Sequence, residues 1–126
     1  MQPAATASEP SAAFAGPVRH IAVQATHLPG DRRGIGRYVR NVLRLIPALR
    51  PELRFSLHVR NRKAVSEMRA QLAAIDPTLP ARTEVEPVSR LLETTADVVW
   101  YPWNGVRPVA RRAAIVASLN DLASML

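Results

Sequence analysis

Three clusters of side chains in this chain have types and spacings suited to chemistry. The first is Gly30, Gly34 and Gly36, with Arg33 and Arg37 beside them, in the stretch HLPGDRRGIGR at residues 27–37. A backbone without Cβ atoms can approach a ligand oxygen closely, and a helix starting at such a loop turns free N–H groups and the positive end of its dipole towards it. Gly34 and Gly36 are therefore candidate diphosphate contacts, with Arg37 as a charge partner; a strand-to-helix turn that needs glycine only for positive φ is the plain alternative. On the first reading, valine at Gly36 would block the ligand while leaving the fold intact. A dinucleotide fingerprint is incomplete, because its third glycine would fall at Val39 and His58-Val59-Arg60-Asn61 offers no acid after the second strand. The second cluster is Trp100, Tyr101 and Trp103, half of the six aromatic residues, followed by Asn104 and Arg107. An aromatic face beside an amide and a guanidinium suits a sugar or a lipid-linked acceptor, and a tryptophan packed under a loop is the alternative. The third is Asn120-Asp121, residue types that cap helices.

Other chemistries find no residues. There is no cysteine, and His20, His27 and His58 lack metal-ligand spacing, so neither a metal nor a cofactor is called for. No Ser-His-Asp order with elbow glycines occurs. Glu84 and Glu86 sit between Arg82 and Arg90, as on a solvated strand edge.

The elements that must position these clusters follow from periodicity. Ile21–Ala25 reads as a strand, and after Gly36 the apolar residues Val39, Val42, Leu43, Ile46 and Leu49 form the stripe of a helix lying on a sheet. Pro47 falls where that stripe still continues, which predicts a kink or an early end. Leu53–Val59 alternates apolar and polar and predicts a half-buried strand; residues 62–75 predict a helix ended by Pro77 and Pro80. Thr83–Val85 is a short strand followed by a helical turn or two around Val88–Glu93, and Asp97–Tyr101 and Ala114–Leu119 are apolar runs of the buried parallel type. Strand alternation sends Trp100 and Tyr101 to opposite faces. The pattern predicts an α/β domain with a mostly parallel, Rossmann-like sheet and flanking helices.

Taken in order, GIGRYVRNVL, ADVVWYPWNGVRP and AAIVASLNDLA resemble the N-terminal, acceptor-side domain of GT-B glycosyltransferases that transfer sugars from nucleotide-diphosphate donors with retention of configuration. The resemblance covers about residues 19–126. It implies a nucleotide-diphosphate sugar as donor, a glycan or lipid-linked acceptor, and a second, C-terminal domain that carries most donor contacts. It places Gly34, Gly36 and Arg37 at the donor phosphates, and Trp103, Asn104, Arg107, Asn120 and Asp121 at the acceptor or sugar. The family often reads His-Asp where this chain reads Asn120-Asp121. No metal is implied, since amides and arginines meet the diphosphate charge. The expectation is a partial GT-B N-terminal domain over 19–126, inactive alone, its sheet unfinished and prone to self-association. The alternative, from another class, is a free-standing Rossmann-like module that binds a small anion or nucleotide at residues 30–37.

Composition bounds these readings. The 126 residues suffice for one domain, and residues 1–18, rich in Ala, Pro and Ser, are expected to form a disordered tail. The tract has no basic n-region or long apolar run, and no stretch of about 20 apolar residues occurs, which predicts a cytoplasmic protein. The net charge of +7 comes from 17 basic residues, of which only Lys63 is lysine, against ten acids. Arginines 37, 40 and 44 fall off the apolar stripe, as on a solvated helix face. The charge is compatible with a peripheral membrane contact; nucleic acid is not an expected partner.

Overall fold

A computed structural model describes residues 17–103, 105–106 and 113–118. In chain order they form β1 (His20–Gln24), α1 (Gly34–Leu49), β2 (Arg54–Val59), α2 (Arg62–Ile75), the single-turn α3 (Leu79–Arg82) and β3 (Thr83–Pro87). A 3-10 helix (Val88–Glu93), β4 (Val98–Tyr101) and β5 (Ala114–Ala117) follow. Of the tail at 1–18, only Pro17 and Val18 are described.

All five strands pair in parallel, in the order β3-β2-β1-β4-β5. The domain is thus α/β and Rossmann-like. Ile21 stands opposite Phe55 on one side and Val98 on the other, so β1 lies at the centre of the sheet. Successive side chains of a strand point to opposite faces, and two cores result. On one face Val23, Phe55, Leu57, Val59, Val85 and Trp100 pack with Val39 and Leu43 of α1 and with Met68 and Leu72 of α2. On the other, Ala22, Val99 and Tyr101 pack beneath Leu91 of the 3-10 helix and Ala96. Trp100 and Tyr101 therefore do part to opposite faces. From β1 the chain steps to β2 and then β3, and only afterwards returns to the far side of β1 as β4. The C-terminal ends of β1 and β4 are consequently the place where strand order reverses, and connections leave them in opposite directions.

Two expectations need correction. Of the kink or early end expected at Pro47, the early end does not occur: helix α1 runs to Leu49, with Pro47 buried inside it. A proline this close to a helix end forfeits a single rung of the ladder. The Arg50 amide still reaches the Ile46 carbonyl at 2.7 Å, and Arg82 Nη2 donates to the Pro47 carbonyl at 3.3 Å. Strand β2 is not half-buried: Ser56 and His58, on its polar side, are as buried as Phe55 and Leu57. The 3-10 helix of the crossover from β3 to β4 lies against that side, so alternation here separates two buried faces. Among the described residues β5 is an edge strand, with Ile115 and Val116 exposed by 44% and 46%.

Candidate functional site

The loop from β1 to α1 is held from inside by one carboxylate. Asp31 Oδ1 accepts the Arg33 amide at 3.1 Å, and Oδ2 accepts the Gly36 amide at 3.1 Å. The N-cap residue of α1, Arg33, makes no side-chain cap of its own. Asp31 supplies that bond from outside the helix, whereas α2 is capped in the ordinary way by Asn61, which accepts the Ala64 amide at 3.0 Å. The rest of the loop is fastened by α1 and α2. Arg40 Nη1 donates to the Asp31 carbonyl at 2.5 Å, and its Nη2 donates to the Leu28 carbonyl at 2.7 Å and to Gln71 Oε1 at 2.6 Å. Gln71 Nε2 in turn donates to the Pro29 carbonyl at 2.9 Å.

The two glycines of the helix start have different reasons. Gly34 has φ of +47°, in the left-handed region that disfavours side chains. Gly36 is helical, yet a Cβ there would stand 1.8 Å from the Asp31 carbonyl oxygen and 2.7 Å from its carbon. The expectation that valine at Gly36 leaves the fold intact is therefore overturned, because the obstacle is the chain's own backbone.

Across the strand-order reversal, Trp103 leaves β4 and donates its indole N–H to the same Asp31 Oδ2 at 3.0 Å. Its ring lies 5.7 Å from that of His27, tilted by 54°. Partial burial opposes ionisation of Asp31, but the Trp103 indole and the Arg33 and Gly36 amides outweigh it and hold the carboxyl below its usual range. Asp31 thus joins the loops that follow β1 and β4. Two cavities open beside this junction. One, of about 640 Å³, lies against α2 and is lined by Gly30, Asp31, Arg60, Glu67 and Trp103 among others. The other, of about 570 Å³, lies under the 3-10 helix and is lined by Gln24, Leu91, Leu92, Tyr101 and Val106 among others.

Gly36 and Trp103, named from the sequence, thus meet through Asp31. Arg37 lines a different groove, along the outer side of α1 with Arg32, Arg40 and Arg44. Asn104, Arg107, Asn120 and Asp121 lie outside the described residues. Sequence reasoning passed over Asp31, His27, Arg60 and Glu67. The signal for Asp31 was an Asx residue just ahead of a helix start; Arg60, in the charged run that ends β2, and Glu67, inside α2, gave none. Among the described residues no group of three or more His, Asp or Glu side chains could hold a metal ion, and no helix is long and apolar enough to cross a membrane. No family model matches the chain, and no curated protein or solved structure matches it either.

Proposed function

We propose that this domain is the acceptor-side half of a GT-B glycosyltransferase, in which a sugar passes from a nucleotide diphosphate to a glycan or lipid-linked acceptor. The observation that carries the reading is the junction at the strand-order reversal: a glycine-started helix and a tryptophan-bearing loop share the Asp31 carboxylate at the carboxyl edge of a parallel sheet, where open α/β folds bind their ligands. In the complete enzyme a donor diphosphate would approach the start of α1 at Gly34 and Gly36, and the acceptor would lie against Trp103.

The free-standing anion-binding module at residues 30–37 accounts for the glycine loop and leaves the contact of Trp103 with Asp31 without a role. The test joins residues 17–126 to a donor-binding Rossmann-like domain and measures transfer of labelled sugar from a panel of nucleotide-diphosphate sugars, with Trp103→Ala alongside. Donor-dependent transfer that Trp103→Ala reduces at least tenfold supports the reading. Tight nucleotide binding by the chain alone, with no transfer in the joined protein, would favour the module.

A further inference from the structure

The two cavities beside the Asp31 junction differ in chemistry and touch each other. Among the described residues, the one under the 3-10 helix is walled by Val88, Leu91, Leu92, Tyr101 and Val106, with Gln24 and Gly105 at its margin, and by no Asp, Glu, Lys or Arg. The one against α2 carries Asp31, Arg60 and Glu67 together with Trp103. Thr26 and His27 line both, so the cavities meet at the end of β1. A molecule lying across that meeting point finds apolar walls at one end and hydrogen-bonding groups at the other.

We propose that the two cavities are halves of one acceptor site for an amphiphile, whose apolar chain lies along Leu91, Leu92 and Tyr101 and whose hydroxyl-rich head rests against Trp103. The inference builds on the glycosyl-transfer reading and selects, between a free glycan and a lipid-linked acceptor, the second. Leu92 is 68% exposed beside the apolar cavity, so a chain laid there removes its side chain from water as well as its own. Each methylene fully buried adds about fourfold in affinity. At the other end Trp103 is held by Asp31 and His27, which fixes an aromatic surface next to two carboxylates and a guanidinium. The Glu67 carboxylate in the same cavity can accept hydroxyl hydrogens and the Arg60 guanidinium can donate to hydroxyl oxygens, which suits a hydroxylated head.

The test titrates the full chain with methyl, hexyl and octyl glucoside below the micelle threshold, followed by calorimetry, with octyl phosphate as the anionic control. Affinity should rise at least about 30-fold from methyl to octyl, a fraction of what complete burial of seven methylenes implies. Leu92→Glu, at an exposed position, should remove that gain and leave methyl glucoside binding as it was. Glu67→Ala should weaken every glucoside by a similar factor. Equal affinity along the series, a gain that survives Leu92→Glu, or tighter binding of octyl phosphate than of octyl glucoside would each overturn the proposal. No donor enters this measurement. Amphiphile binding without sugar transfer would count against the glycosyl-transfer reading alone, and transfer without chain-length dependence against the bipartite site alone.

Discussion

Gly36 and Asp31 constrain each other at the start of α1. The carbonyl of Asp31 occupies the space a Cβ would need, and its carboxylate uses the N–H that the glycine offers. Gly36→Ala should therefore destabilise the domain by about 2 kcal/mol or more, as over-packing against backbone does, read from the urea midpoint. Gly34→Ala should cost about 1–2 kcal/mol for a different reason, its positive φ. Asp31→Ala removes a helix cap worth about 1 kcal/mol and also frees the indole of Trp103. The fluorescence of that variant should shift to the red, and an unchanged spectrum would mean that the junction does not form in solution. Arg40 fastens the same loop through three acceptors on two elements. Arg40→Met should cost on the order of 2 kcal/mol, and Arg40→Lys should recover little of it, because an ammonium cannot span the three acceptors as a planar guanidinium does.

At the scale of the element, strand β2 sets the acid sensitivity of the fold. Its Ser56 hydroxyl lies 2.9 Å from His20 Nε2 on β1 and 3.3 Å from His58 Nε2, within the covered face of the sheet. Burial lowers the pKa of both histidines, and Arg54 adds to the effect at His20; Glu84, Glu86 and Asp97 face the pair and oppose it only in part. Both rings are thus neutral when folded at a pH where they are partly protonated when unfolded. The unfolded chain binds more protons, so stability is full above about pH 6.5 and falls as pH drops through that value. The carboxyls of Asp97, held down by the Arg19 amide and then the His20 amide, and of Asp31 extend the loss below about pH 4. Urea midpoints should accordingly decrease between pH 7.5 and pH 5, and His58→Gln should flatten that decrease. A midpoint that rises towards pH 5 would show the histidines to be charged in the folded state.

For the whole molecule, the parallel order β3-β2-β1-β4-β5 distributes stability unevenly. Strand β1 is paired on both sides, and its Ala22 and Val23 are fully buried, one in each core. At β5, pairing comes from β4 alone among the described residues, and Ile115 and Val116 are open to water. Local opening draws on the regions with the least burial, so amide exchange should be slowest in β1 and β2 and fastest in β5. Peptide-level exchange measured by mass spectrometry checks the order. The site shares this gradient: its loop after β1 is pinned by Arg40 and Gln71, whereas the loop after β4 is tied to it at Trp103.

How much of this was legible differs from one part to the next. The alternation in β2, the stripe of α1 and the apolar runs of β1, β4 and β5 are local patterns along the chain, and the strands, helices and parallel sheet followed from them. Gly36 stood out in the sequence because a glycine at the start of a helix after a strand lets a backbone N–H come close to a ligand. What it is for did not, since the atom it avoids belongs to Asp31 and the distance between them depends on how the loop folds back. Likewise the burial of Ser56 and His58 depends on which strands flank β2 and on the path of the crossover above it. Trp103 and Asp31 lie 72 residues apart, and only the return of the chain to the far side of β1 brings them within a hydrogen bond. Residue pattern along the chain determined the elements, their faces and the α/β class; the tertiary structure decided what each glycine, histidine and tryptophan touches, because those contacts arise from strand order, which no local spacing encodes.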